Sequence, residues 1–435
     1  MTRAVAAGLL LLLAVSCTTP EPPRAQAGSP ESTTCAPPKG PPREEAPTTI
    51  DVVEQAYFCI LDEYWRAPAM DPRDLLVAGF TALTRALPGA PLSLPPLTGD
   101  PRGDWAAFEA TYRKITDRED LAEVTLEAMV AALDDNHARW MHDVERPPGY
   151  YDGDGYGLGF QVTGDDPLFV SAVEGGAARK AGLRPGDVIE NVDDPGLLRP
   201  RYPDGQPVEL RLRRGDRRWS VTLTPGLYPR DLATLQVVQS RLIDDEVVYV
   251  RVRGFSPDAA NRAFRAIDRL RAGRSVRGVV LDVRGNGGGS PVEATRLVSA
   301  FVHGKVTSHL CTVDDQCEPG QTDDTVGLVG LPLVVLVDGG CASACEHFSS
   351  AVKAHAAGLL VGTRTAGLIS GPGEPFLLRD NTVLSFPTRR HLGPNREIVD
   401  RIGVAPHHFV PPTPDDAAAG RDAALAKALT LLDTR

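Results

Sequence analysis

The chain lacks a membrane-spanning run, a surplus of basic charge and the closely spaced Cys/His pairs of a metal site, and each absence narrows its chemistry. Its longest apolar stretch, Ala4 to Val15, is shorter than the ~20 residues a bilayer-spanning helix needs. A formal net charge of −11 over 435 residues argues against nucleic acid or an anionic lipid surface as the principal partner, because an acidic surface attracts neither. No Cys-x-x-Cys or His-x-x-x-His pair occurs, so no metal or other cofactor is expected. An internal repeat is also missing, which excludes solenoid and propeller architectures.

What is present is the composition of a soluble globular protein, 42% hydrophobic and 24% charged. At this length about two or three folded units are expected. The short apolar run after Arg3 suits the h-region of a secretory signal. It ends Leu13-Ala-Val-Ser-Cys17, which resembles the bacterial lipoprotein cleavage box with Ala14 in place of the commoner Leu. That resemblance implies a signal over 1–17, a lipid on Cys17 as membrane anchor, and a bacterial cell-envelope location facing the periplasm or exterior. Residues 18–48, rich in Pro, Ser and Thr, read as a disordered tether. Without Cys17, six of the seven cysteines remain (7 − 1): Cys35, Cys59, Cys311, Cys317, Cys341 and Cys345. An even number in an oxidising compartment points to disulfides. Cys311 and Cys317 are the best local pair, and Cys341, lying ahead of a helix, leaves a bridge to Cys345 open.

Periodicity divides the rest. Over 49–150, apolar residues such as Ile50, Val53, Ala56, Ile60 and Tyr64 recur at helical intervals, and Asp117 to Leu133 repeats the pattern. Over 151–228 short strands and turns replace helices. Here Gly157-Leu-Gly-Phe160 and Leu183-Arg-Pro-Gly-Asp-Val-Ile189 resemble the carboxylate-binding loop and the turn-plus-strand of a PDZ domain. The resemblance implies that Leu158, Gly159 and Phe160 bind the C-terminus of a peptide or protein partner. Over 229–414, apolar runs (Val247–Val252, Gly278–Val283, Leu333–Val337, Leu359–Gly362) alternate with amphipathic segments at Ala259–Ala272 and Pro291–Val302, an α/β core. Residues 415–435 read as one closing helix.

Two small-residue turns in this core carry chemistry. Asp282-Val-Arg-Gly-Asn-Gly-Gly-Gly289 offers bare backbone amides, and Gly339-Gly-Cys-Ala-Ser-Ala-Cys-Glu346 puts Ser343 where a strand gives way to a helix. A hydroxyl beside amide donors is the minimum for acyl transfer, since the attacked carbonyl oxygen becomes an anion needing hydrogen bonds. The candidate donors are Gly287, Gly288 and Ala344. Asn286 reads as a turn-fixing residue.

These segments resemble the carboxyl-terminal processing, or tail-specific, serine peptidases and the related tricorn protease. Asp282-Val-Arg-Gly-Asn-Gly-Gly is similar to their Asp-x-Arg-x-Asn-x-Gly-Gly turn, and Cys341-Ala-Ser-Ala-Cys-Glu346 to their Ser-Ala-Ser-Ala-Ser-Glu segment. The resemblance implies a helical leader, a PDZ domain and an α/β core of the ClpP/crotonase-like type. One departure matters. Where many members carry a Gly-Lys pair that supplies the base, this chain has Gly367-Leu368, and leucine accepts no proton. Resemblance to the tricorn-like branch implies a substitute: His137 as base, with Asn136 as polar neighbour and Asp400, in Asp400-Arg-Ile-Gly-Val-Ala-Pro406, as supporting acid. His347, four residues after Ser343, is the rival base. The expected activity is that of an extracytoplasmic serine endopeptidase. The alternatives are an inactive, peptide-binding relative, and redox control in which a Cys341–Cys345 pair distorts the serine loop.

Overall fold

The computed structural model describes residues 35–38, 44–87, 93–115, 120–142, 153–164, 166–192, 194–200, 202–203, 205–231 and 235–433. Cys17 and the signal and most of the tether around it lie outside these.

The centre is a six-stranded sheet in the order His408–Phe409, Leu359–Gly362, Leu333–Val337, Gly278–Asp282, Val247–Val252, Val238–Ile243. All neighbours run parallel except the last two strands. Helices Ala259–Arg271, Pro291–Ser299 and Ala344–Ala354 cover one face, and Ala423–Asp433 covers the other. Burial from both sides is why Leu333–Val337 is an unbroken apolar run with every residue buried. The closing segment is two helices, Pro414–Ala418 and Ala423–Asp433, not one. Gly420, at φ 66°, follows the first of them, a backbone that favours glycine.

The leader helices Ile50–Glu63, Pro72–Ala86, Pro101–Ile115 and Asp120–Ala131 do not form a core alone. Their buried faces share one cluster with Phe376, Leu378, Leu384 and Phe386 of a distant hairpin. Strand Arg139–Met141 pairs antiparallel with Val383–Pro387 and completes the join. Each such buried Phe or Leu contributes about 1.5–3 kcal/mol, so the leader is held to the core by packing, and its last turn is carried to the sheet.

A five-stranded antiparallel sheet between Phe160 and Leu223 forms the small inserted domain. Its entry and exit strands, Asp154–Gly157 and Gly226–Pro229, pair with each other as a stem. Among the described residues, three disulfides join Cys35 to Cys59, Cys311 to Cys317 and Cys341 to Cys345.

Candidate active site

Three loops meet at the carboxyl ends of the parallel strands, where an α/β sheet leaves its backbone open to ligands. The first follows Gly278–Asp282. Asp282 is fully buried and accepts two hydrogen bonds from the Arg284 guanidinium (2.9 and 2.7 Å), one from the Arg284 amide (3.1 Å) and one from the Tyr249 hydroxyl (2.6 Å), while Arg284 also reaches Asp422. Burial raises the Asp282 pKa, but the Arg284 guanidinium, the Tyr249 hydroxyl and the Arg251 charge together outweigh it and hold the carboxyl below its usual range. These groups fix the turn. Asn286 donates through Nδ2 to Val252 O (3.1 Å), and its Oδ1 accepts the Gly288 amide at 2.8 Å. The Gly288 amide is therefore engaged and is not a free oxyanion donor as expected. Among the described residues, the Gly287 and Ala344 amides donate to no protein group.

The second loop presents Ser343 at φ 54°, ψ −121°, an unusual backbone for a non-glycine residue, directly ahead of helix Ala344–Ala354. Its amide donates to Leu368 O (3.0 Å). Fully buried Glu346 accepts from Thr365 Oγ1 (2.6 Å) and from the amides of Gly367 (2.6 Å), Leu368 (2.7 Å) and Ser343 (3.3 Å). Burial still lifts the Glu346 pKa above its ordinary value, against those bonds. The Cys341–Cys345 bridge spans the same turn, with both residues buried. Leu368 thus supplies a carbonyl to the serine amide, and its aliphatic side chain offers no base.

The third loop carries His137 between helix Asp120–Ala131 and strand Arg139–Met141. Its Nε2 lies 3.2 Å from Ser343 Oγ and its Nδ1 3.1 Å from Ser370 Oγ. Ser370 Oγ is 2.6 Å from Asp135 Oδ1, which also accepts the His137 amide (2.9 Å). Asp135 Oδ2 accepts the Tyr64 hydroxyl (2.9 Å). Burial lowers the His137 pKa, with the Asp135 charge opposing it, so the ring stays neutral at neutral pH.

Among the described residues, neither Asp400 nor Asn136 makes a hydrogen bond to the His137 ring. Asp400 Oδ1 accepts the Ile369 amide (3.1 Å) and Asn136 Nδ2 (3.3 Å). Through Oδ1, Asp400 ties the Asn136 turn to the Ile369 loop. His347 is no neighbour of the serine hydroxyl. Its Nε2 faces Thr295 Oγ1 (3.0 Å) and its Nδ1 faces His391 Nε2 (3.3 Å), and burial pushes its pKa down to about 4. Ser370 and Asp135 were missed. For Asp135 a cue existed, since an Asp two residues before an amide it caps is an Asx turn; Ser370 left no signal.

In the small domain Leu158 is buried, and Gly159 (φ 87°) sits so close to Gly175 that a Cβ would lie 2.2 Å from its carbonyl oxygen. Gly159 O accepts the Glu174 and Gly175 amides, and Phe160 enters a strand opposite Val173. Among the described residues the Leu158 and Gly159 amides donate to no protein group. Cys311, Asp315 and Cys317 lie close together, but both sulfurs are in a disulfide and offer no thiolate. Among the described residues no helix is long and apolar enough to cross a membrane.

Residues 246–410 match the family model described as peptidase family S41. The chain is 29% identical over 329 residues to carboxyl-terminal-processing peptidase 2, chloroplastic, of Arabidopsis thaliana, covering 68% of this chain and 62% of that protein. It is 27% identical over 289 residues to the carboxy-terminal processing protease CtpA of Bacillus subtilis (strain 168), covering 62% and 61%. It therefore spans about three fifths of each relative's length. In fold it is similar to the solved photosystem II D1 C-terminal processing protease, with TM-score 0.52, 21% identity, 86% of this chain and 98% of that one. It is also similar to mature CPAF, with TM-score 0.56, 14% identity, 88% and 98%.

Proposed function

Because residues 246–410 match the family model described as peptidase family S41, we propose that the whole chain is a serine endopeptidase of the C-terminal processing type. Ser343 attacks the scissile carbonyl. His137 takes the hydroxyl proton and returns it to the leaving amine, and the Ala344 and Gly287 amides hold the oxyanion. The single observation that carries this reading is the 3.2 Å approach of His137 Nε2 to Ser343 Oγ, which restores a base in a chain whose lysine position holds Leu368. The PDZ-like domain recognises substrate C-termini through the open Leu158 and Gly159 amides beside Phe160, and a lipid on Cys17 anchors the protein outside the cytoplasm.

The test is hydrolysis of fluorogenic peptides together with labelling by a fluorophosphonate, which reacts with an activated serine. Wild type labels and cleaves; Ser343→Ala does neither and keeps its melting temperature; His137→Ala loses about 10²–10⁴-fold in kcat, the worth of a general base. Absence of labelling in a folded wild type would leave an inactive, peptide-binding relative.

A further inference from the structure

We infer that Asp135 and Ser370 are the positioning residues of this site, and that Asp135 sets the tautomer of His137 through the Ser370 hydroxyl. The inference rests on the proposed roles of Ser343 and His137, and follows from donor and acceptor accounting.

An ionised carboxylate only accepts hydrogen bonds. Asp135 takes the His137 amide and the Ser370 hydroxyl on Oδ1 and the Tyr64 hydroxyl on Oδ2. At 2.6 Å from that carboxylate, Ser370 must spend its one proton on it. The Ser370 oxygen is then left solely as an acceptor. The only ring atom within its reach, His137 Nδ1 at 3.1 Å, must therefore carry the hydrogen. Nε2 is thereby bare, with its lone pair on the Ser343 hydroxyl 3.2 Å away. That is the tautomer a general base needs. Ser370 is buried, which keeps water from competing for its oxygen. Its carbonyl accepts the His391 amide at 2.8 Å, so its main chain is held as well.

The hydroxyl in the middle also separates the acid from the ring. The charged and titratable groups around His137 are Asp135 on its own turn, Arg139 on the following strand, Asp400 from the C-terminal segment and His391 from strand Arg390–Leu392. Of these, Asp135 is the largest influence favouring the imidazolium, and Asp400 is smaller.

Two measurements on the full chain test the assignment. Imidazole ¹⁵N NMR reads the tautomer without needing turnover. Wild-type His137 shows hydrogen on Nδ1, and Ser370→Ala and Asp135→Asn lose that preference. Hydrogen on Nε2 in the wild type overturns the inference whether or not the protein is a peptidase. With a cleaved peptide, Ser370→Ala lowers kcat about 10²-fold or more with KM within about threefold, since only the base is disturbed. Removing the negative charge in Asp135→Asn disfavours the imidazolium, so the acid limb of kcat/KM moves to lower pH, and by more than in Asp400→Asn. A merely structural role would lower the melting temperature and leave the limb in place. A larger kcat loss and limb shift in Asp400→Asn would reassign the acid to Asp400. Failure of wild type to label or cleave, with the tautomer as inferred, would sink the peptidase reading alone.

Discussion

Replacing Gly288 by alanine should silence the site while leaving a folded protein. A Cβ there would stand 2.7 Å from Ser343 Cβ, 2.9 Å from Ala342 O and 3.0 Å from the Ala344 nitrogen. Two of those atoms are backbone, and the third is the Ser343 Cβ, so no flexible side chain can yield. The serine turn is tied by Glu346, by the Leu368 carbonyl and by the Cys341–Cys345 bridge. The glycine and serine turns must therefore part by several tenths of an ångström. That parting moves the Gly287 and Ala344 amides away from a common point, and one misaligned oxyanion donor costs about 10²–10³ in kcat. Alanine at φ 104° adds about 1–3 kcal/mol of backbone strain. Gly285→Ala in the same turn is the control, because its φ is 69° and nothing lies within 4 Å of its Cβ. It should lose about 1 kcal/mol of stability and keep its activity. Peptide hydrolysis and thermal melts on both variants decide the matter. Near-wild-type kcat/KM in Gly288→Ala would refute the oxyanion geometry, and equal activity losses in both would reduce the effect to backbone strain.

The buried His347–His391 pair should make the protein acid-sensitive. Both rings are neutral when folded, His347 being pushed down to about 4 and His391 well below its ordinary value. The unfolded chain binds these protons near pH 6.5, so this contribution to stability is complete above pH 6.5 and is lost as pH falls towards 4. For His347 alone the loss is roughly 3 kcal/mol. Denaturant midpoints across that range read it, and His347→Gln should flatten the slope; an unchanged slope would show the ring titrates normally. Removing the buried bridge with Cys341→Ser and Cys345→Ser together should cost about 2 kcal/mol for so short a loop, measured by melting temperature. Because both cysteines are buried, mild reductant should leave fluorophosphonate labelling of the wild type unaltered; a reductant-dependent change would favour redox control.

Much of the core was readable in the chain. Uninterrupted runs such as Leu333–Val337 mark strands covered on both faces, and small residues mark the turns at Gly285–Gly289 and Cys341–Ser343. The leader's helices were readable too, but not their dependence on Phe376 and Phe386, because an amphipathic face does not say what covers it. Asn286 as a turn-fixing residue followed from its place among glycines. The engagement of Gly288 by that same side chain did not.

Ser343, Leu368 and the candidate His137 are local facts, written in residue type and spacing. Which groups meet the imidazole is not local. Ser370 lies 233 residues from His137, and Asp400 is 264 from Asn136. A hydroxyl of ordinary type and one acid among many become specific only when loops from opposite ends of the chain are packed together. Residue chemistry therefore defined what reaction the chain could attempt, and tertiary packing chose its partners, since hydrogen bonds are decided over 3 Å and sequence carries no distances.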